Sequence, residues 1–248
     1  MKTRGSARRV ARLVGTLLVG AGVLVLIWAV IVWQWQDPFT ALYTHFEQEH
    51  MASVYKKHAA AFEARLPAPP KHVRSLASVE KEIAKEAAAY RRSLSTGEPV
   101  GRLKIGRIGL NMIVVQGTDD ASLKKGPGHY VGTALPGQGR LIYVAGHRTT
   151  YLAPFSHIND IRDGDYISVE MPYGSFTYRA YRHYVVPADD LAVLVNHGRE
   201  ILRLQACHPR FFATHRYIVD ARLVAFTPTG TQQAYTLPSR AIAAVKAR

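Results

Sequence analysis

Apolar residues fill one long stretch near the start of the chain, and they alternate with polar residues through much of its second half. The first stretch, residues 13–33, contains no charged residue. A helix of this length, rising roughly 1.5 Å per residue, would span the roughly 30 Å hydrocarbon core of a bilayer. The pattern therefore predicts a transmembrane signal-anchor helix over residues 13–35.

The residues on either side of this stretch indicate its orientation. Basic residues precede it and tryptophans lie towards its far end, which is typical of a helix whose first residues stay in the cytoplasm. A cleaved signal peptide is the alternative, but its apolar core usually has about 7–15 residues and ends at small residues. Here the core is longer and Trp-Gln-Trp-Gln follows it. We predict a single-pass protein of the cell membrane, with everything after residue 35 outside.

The next segment shows helical periodicity. Apolar residues recur at helical intervals over residues 37–66, and Pro-Ala-Pro-Pro at 67–70 interrupts the pattern. Residues 73–94 are rich in Ala, Glu and Lys and again favour a helix. Residues 36–98 are therefore interpreted as an extracytoplasmic helical stalk.

After Gly97 the pattern changes to short strand-like runs separated by Gly- and Pro-containing turns. Many short strands with little helix indicate a mainly β domain, either a closed or nearly closed barrel or a sandwich. We assign residues 99–228 to this β domain, residues 1–12 to a basic cytoplasmic segment and residues 229–248 to a C-terminal tail. The predicted strands are residues 100–105, 112–115, 141–144, 166–169, 176–186, 200–206 and 217–226.

Charge and metal-ligand spacing exclude some functions. The formal net charge of +14 could suit nucleic acid, but no nucleic-acid motif accompanies it, and an exported domain would instead meet polyanionic wall or membrane surfaces. The one cysteine has no CxxC partner for zinc, and the aspartates lack the spacing of a calcium loop. No metal or cofactor is predicted.

The candidate chemistry centres on Cys207. The alternating run before it predicts a strand, which must end near the cysteine because Pro209 cannot donate to a sheet. Arg216 begins the next strand-like run, so a nucleophile and a guanidinium could reach one carbonyl from adjacent strand ends. Taken singly, Cys207 could equally be a small buried apolar residue and Arg216 an ordinary surface arginine.

A thiol with an ordinary pKa needs a partner to become a nucleophile. Among 11 histidines, His147 has the best context, because it follows a buried-looking strand and Gly146, which would let the chain turn. His208 adjoins the thiol, but successive strand residues point to opposite faces. A structural role for His147 at a strand end remains an equal alternative on this pattern alone.

Four ordered motifs in about residues 99–227 resemble the sortase family, most closely its class E, housekeeping-type members of actinobacteria. The motifs are Gly-Pro-Gly-His-Tyr (126–130), Gly-Thr-Ala-Leu-Pro-Gly (132–137), Ala-Gly-His-Arg-Thr-Thr (145–150), and Cys-His-Pro with Arg-Tyr-Ile-Val (207–209 and 216–219). The resemblance implies an eight-stranded β-barrel. It also implies that His147, Cys207 and Arg216 are catalytic.

The activity implied by the resemblance is transpeptidation. The thiol would cleave an LPxTG-like signal, or the LAxTG variant associated with class E, between Thr and Gly, and an amine of the peptidoglycan precursor lipid II would resolve the thioacyl enzyme. Residues 187–199 would form a wall of the peptide groove. This chain has Ala206 where the family usually has Thr, which could alter how substrate is held. Candidate substrate contacts are Tyr130, Thr149, Leu194 and Ala206.

Three alternatives remain at this stage. An L,D-transpeptidase would also use Cys and His, but its His-Gly-Cys-x-x-Leu cluster is missing from the sequence. A membrane-anchored scaffold could keep the barrel and lack turnover. A sortase could also polymerise pilins instead of attaching surface proteins to the wall.

Overall fold

Nine β-strands form the second half of the molecule. The computed structural model describes residues 3–35, 38–68 and 75–238. Within these ranges the strands are β1 Pro99–Ile105, β2 Leu110–Gln116, β3 Gly128–His129, β4 Leu141–Gly146, β5 Tyr166–Met171, β6 Gly174–Pro187, β7 Ile201–His208, β8 His215–Pro228 and β9 Tyr235–Thr236.

The strands close into a barrel. They are hydrogen-bonded in the order β6-β5-β1-β2-β3-β4-β7-β8, and β8 pairs again with β6, which joins the two ends of the sheet. The pairs β2–β3 and β4–β7 are parallel and the other pairs are antiparallel. The short β9 adds to the far end of β8. The eight-stranded barrel is therefore confirmed, and the sandwich is not formed.

Alternation along each strand fills the barrel interior. On β7, Leu202, Leu204 and Ala206 belong to the main hydrophobic core, whereas Arg203, Gln205 and Cys207 lie on the outer face. Apolar residues of β1, β2, β4, β5, β6 and β8 meet them inside. Because a shift of one residue would bring Arg203 and Gln205 inside, this alternation fixes the strand register.

The described residues also form four α-helices beside the barrel: α1 Thr3–Trp35, α2 Pro38–Glu63, α3 Leu76–Ser93 and the single turn α4 Asp120–Leu123. One helix among the described residues, α1, is long and apolar enough to cross a membrane, over Arg8–Val30. None of that segment is buried against the rest of the chain.

The predicted stalk is helical, but its helices pack along the barrel. In α3, Val79, Ile83, Ala87 and Tyr90 lie on one face and join the main core. The hydroxyl of Tyr90 donates a hydrogen bond to the carbonyl of Val100, 3.0 Å away. Helix α3 therefore packs into the core of the barrel rather than standing apart from it.

Two short strands were not predicted from the sequence. Gly128–His129 lies within a turn signal, and Tyr235–Thr236 lies in the segment assigned to the tail. The ring of Tyr235 stacks on Phe226, so the first part of that tail continues the sheet. Residues 239–248 lie outside the described part of the chain.

His129 on β3 is a buried structural histidine. Its Nδ1 lies 2.8 Å from Oε1 of Gln116, and its Nε2 lies 2.9 Å from the carbonyl oxygen of Ala134. Burial lowers the pKa of His129 to about 4. The folded protein therefore keeps this ring neutral at a pH where the unfolded chain binds a proton.

We expect His129 to contribute to acid unfolding. Since its folded pKa is below its unfolded value of about 6.5, stability is retained above pH 6.5 and lost as the pH falls towards 4, by about 3 kcal/mol in all. Urea unfolding of the full chain in detergent between pH 4 and 8 would measure this slope. The variant His129→Gln should have a flatter slope, and the exposed-site control His197→Gln should match the wild type. An equal slope in His129→Gln and the wild type would contradict the assignment.

Candidate active site

Strand direction brings the three predicted catalytic residues to one end of the barrel. The strands β4 and β7 are parallel, and Gly146 pairs with Ala206, so His147 and Cys207 follow at the same edge. The strand β8 runs antiparallel to β7, and Cys207 pairs directly with Arg216. Side chains of paired residues share a face of the sheet, so the thiol and the guanidinium project from the same side.

Cys207 lies at the end of the outer face of β7 and is partly exposed. Beside it, Tyr143, Ala145 and Ile218 of the neighbouring strands form a second apolar cluster with Val193. We take this outer face as the candidate peptide groove. The hydroxyl of Tyr143 donates to Oε1 of Gln205 at 2.5 Å. A groove with an apolar floor and a thiol at its end suits an extended peptide with apolar side chains.

Burial raises the pKa of Tyr143 to about 12, and the nearby positive charges of Arg216 and Arg203 oppose that rise. The phenol therefore stays protonated and keeps donating to Gln205 at neutral pH.

The imidazole of His147 is half-buried. Burial lowers the pKa of His147, while Asp120 acts to raise it and Lys124 acts to lower it. Its Nε2 is buried and has no hydrogen-bond partner among the described residues. The ring packs against Tyr151, with centroids 5.1 Å apart. A neutral imidazole with an unpartnered nitrogen can accept and return a proton.

Gly146 is needed for close approach rather than for a turn. It remains the last residue of β4, and a Cβ placed there would lie 2.6 Å from a ring carbon of Phe155. The amide of Phe155 donates to the carbonyl of His147 at 3.1 Å. The loop after β4 therefore folds back over Gly146, which explains the glycine by a contact that the sequence pattern did not reveal.

Arg148 is a site residue whose role the sequence did not reveal. Its side chain is buried, and Nη1 donates to the carbonyl of Cys207 at 3.1 Å and lies 2.9 Å from Nδ1 of His208. Its Nη2 donates to Oδ1 of Asn159 at 2.8 Å. Arg148 thus ties the loop that carries His147 to the strand end that carries Cys207. Its position directly after His147 was the available signal.

Arg216 lies in register with Cys207, but part of its fork binds its own loop. The Nη1 atom donates to the carbonyls of Ala213, at 2.8 Å, and His215, at 3.0 Å. These bonds fix the guanidinium at the groove edge. The planar fork of an arginine held there suits hydrogen bonding to a carbonyl oxygen.

The predicted groove wall contains a short 3-10 helix, Leu191–Leu194. Val193 is buried on the second apolar cluster and Leu194 packs beside it, whereas Leu191 is exposed. The carbonyl of Val193 accepts from Nη1 of Arg203 at 2.6 Å, and Arg203 binds both oxygens of the buried Asp220, at 2.6 and 2.7 Å. A buried ion pair on β7 and β8 therefore holds the wall.

The other predicted substrate contacts divide into two groups. The ring of Tyr130 lies edge-on to Tyr143 in the groove, with centroids 6.3 Å apart, and Thr149 is half-buried in the turn after His147. The placement of Ala206 contradicts its prediction as a contact. Its side chain is fully buried in the barrel core, because it points to the face opposite Cys207.

Within the described ranges, no group of three or more His, Cys, Asp or Glu side chains is arranged to hold a metal ion.

Comparisons with known proteins identify the family of this chain. A sequence model described as "Sortase domain" matches residues 103–224. Sortase D of Bacillus subtilis (strain 168) is 31% identical over 166 residues, which cover 65% of this chain and 81% of that protein. The chain belongs to the sortase family. Sortases are cysteine transpeptidases, and Cys207 is the single cysteine of this one.

Solved sortase structures share the barrel. Sortase E from Streptomyces avermitilis is 32% identical with a TM-score of 0.50, covering 56% of this chain and 97% of that one. Sortase E1 from Streptomyces coelicolor, solved with a tripeptide in the active site, is 25% identical with a TM-score of 0.52, covering 55% and 94%. Because the class D and class E relatives are about equally similar, the comparisons support the family without singling out class E.

The buried ion pair beneath the groove wall should be sensitive to loss of one partner. We expect Asp220→Ala to lower the free energy of unfolding by about 3–5 kcal/mol, because Arg203 would be left buried and uncompensated. The matched control is Arg107→Ala, which breaks a more exposed pair with Asp165 and should cost much less. Urea unfolding measures both. Equal losses in the two variants would refute a special role for the buried pair.

Proposed function

We propose that this chain is a membrane-anchored transpeptidase that cleaves an LPxTG- or LAxTG-like sorting signal between Thr and Gly. It transfers the surface protein that carries the signal to an amine of the peptidoglycan precursor lipid II. The observation that carries the proposal is the register at the barrel end, where Cys207 pairs with Arg216 and His147 follows the residue paired with Ala206.

In the first half of the reaction the sulfur of Cys207 attacks the carbonyl carbon of the threonine. His147 takes the thiol proton and returns it to the glycine nitrogen as the C–N bond breaks, which leaves a thioester. The tetrahedral intermediate carries a negative oxygen, and Arg216 donates to it. A preplaced donor of this kind is worth about 10²–10³ in rate.

In the second half the precursor amine attacks the thioester carbon. His147 accepts the proton that the amine loses, an amide bond forms, and the sulfur departs and regains its proton. Because burial keeps the pKa of His147 low, the ring is ready to accept at neutral pH. The same three side chains therefore serve both steps. His147 gives a proton to the leaving amine in the first step and takes one from the attacking amine in the second.

The groove provides contacts for the rest of the signal. Leu194 and its neighbour Val193 offer an apolar wall for the leucine of the signal, and Tyr130 and Thr149 flank the path towards His147. The alanine at 206 leaves this surface unchanged, since its methyl group lies in the core. We therefore propose that the missing threonine hydroxyl does not abolish turnover.

The location proposed for the enzyme is the cell membrane. The apolar stretch of helix α1 is not covered by other parts of the chain. The basic residues before that stretch favour a cytoplasmic N-terminus. The barrel would then lie outside, where surface proteins and wall precursors are available. No nucleic acid, metal or cofactor takes part in the proposed reaction.

The test is peptide cleavage by the full chain in detergent. Wild-type protein should cleave fluorescence-quenched LAxTG or LPxTG peptides, and comparing the two measures the preference. We expect Cys207→Ala to abolish cleavage and Arg216→Lys to lower kcat by about 10²–10³, because lysine lacks the fork. The control is Arg179→Lys, which should keep full activity. Arg179 lies on β6 away from Val186, the residue that pairs with Arg216.

Circular dichroism would verify that each variant is folded. Wild-type turnover in folded Cys207→Ala would end the proposal. Reaction of Cys207 with a sorting-signal aldehyde, without turnover of any peptide, would favour the scaffold alternative.

A further inference from the structure

Two loops meet at His147, and helix α2 binds both of them. One is the connection after β2, which contains Asp120 and Lys124; the other is the loop after β4, which contains Tyr151. Because Nε2 of His147 has no hydrogen-bond partner among the residues that the structure describes, the contact shown for the ring is its packing against Tyr151 of the second loop. Whatever holds that loop therefore also supports the imidazole.

The loop after β4 needs external support. Tyr151, Leu152 and Ala153 have positive φ angles of 53°, 57° and 37°, a conformation that L-residues rarely adopt. Three such residues in succession persist only when the surroundings hold them. Leu152 and Ala153 are held by the barrel core, whereas Tyr151 faces away from it towards α2.

Helix α2 supplies the contacts to Tyr151. The backbone amide of Tyr151 donates to Oγ1 of Thr40 at 3.0 Å, and the ring of Tyr43 lies edge-on to the Tyr151 ring at 6.4 Å. The ammonium of Lys124 lies 5.8 Å from the centroid of the same ring. Tyr151 is thus enclosed by α2 on one side and by His147 on the other.

The same helix fixes the other loop. Thr44 is fully buried and its hydroxyl donates to the carbonyl of Lys124 at 2.9 Å. Gln48 donates to the carbonyls of Ile113 and Lys125 and accepts from the amide of Ile113. Further along, Tyr55 donates to the carbonyl of Glu170. A polar stripe on α2 therefore connects the body of the barrel to both segments that face His147.

We propose that α2 is a brace for the active site: Thr40 and Tyr43 hold Tyr151 against the imidazole, and Tyr151 is a positioning residue for His147. This inference rests on the transpeptidase function proposed above. Helix α2 begins at Pro38, and α1 ends at Trp35. The segment nearest the proposed anchor therefore supports catalysis.

The first arm of the test is steady-state cleavage of the sorting peptide by the full chain in detergent. We expect Tyr151→Ala and Thr40→Val each to lower kcat by about tenfold with KM within about twofold, since small displacements of a catalytic group cost rate rather than binding. Tyr151→Phe and Thr40→Ser should recover most of the activity. Phe46→Ala is the matched control, because this α2 aromatic is 61% exposed and its ring contacts His45.

The second arm follows the titration of His147 by NMR of histidine labelled with ¹³C at Cε1, which needs no activity. The titratable groups facing the ring are Asp120, Lys124 and Tyr151, with Cys207 on the neighbouring strand. Burial is the main cause of the low pKa, so Tyr151→Ala should raise the pKa of His147 towards 6.5 and move the acid limb of kcat upwards with it.

The brace is supported when kcat falls in Tyr151→Ala and Thr40→Val but not in Phe46→Ala, and when the His147 titration shifts. It is overturned if both variants keep the wild-type kcat and the wild-type His147 titration. It is also overturned if Phe46→Ala lowers kcat as much as they do. If wild-type protein cleaves no sorting peptide, the proposed function fails, and the NMR arm alone decides the brace: an unchanged His147 signal overturns it and a shifted one supports it.

Discussion

The site depends on the parallel pairing of β4 with β7. Two parallel strands end at the same edge, so the residues that follow β4 and those that end β7 meet there without any special loop. The antiparallel neighbour β8 begins at that edge, which places Arg216 opposite Cys207. One choice of strand direction therefore gathers a sulfur, an imidazole and a guanidinium that are far apart in the sequence.

The outer face of β7 carries both residues that stabilise the fold and the candidate nucleophile. Arg203, Gln205 and Cys207 alternate along it, and each has a different partner: a buried carboxylate, the hydroxyl of Tyr143 and, across the ladder, Arg216. Arg203 of the ion pair also donates to the carbonyl of Val193 in the groove wall. Holding the wall from beneath leaves its outer side, where Leu191 is exposed, available to a peptide.

Much of this could be predicted from the sequence, because period-two alternation reports directly which face of a strand is buried. It placed seven strands and the strand end at Cys207. The pattern predicted the helix α2 but not its contacts: Leu42 and Phe46 are 57% and 61% exposed, and Thr40, Thr44 and Gln48 reach the barrel loops. The pattern of apolar and polar residues does not reveal which polar side chains bond to loop carbonyls, so these contacts could not be predicted from the sequence.

The alternation itself also explained one prediction that failed. Ala206 was assigned to the substrate because it adjoins the nucleophile, yet adjacency along a strand means opposite faces. Arg148 and Tyr151 were missed for the converse reason. Their contacts depend on how the loop after β4 folds over Gly146, and a single glycine does not specify that path.

The β4–β7 ladder also has a consequence for how the enzyme comes into being. Its partners, such as Leu141 and Ile201, are separated by two whole strands and their turns, and contacts between such distant parts of a chain form slowly. Cys207 and His147 are therefore far apart until the chain has folded. The three side chains come together only when the sheet closes, so an unfolded chain carries an isolated thiol and no assembled site.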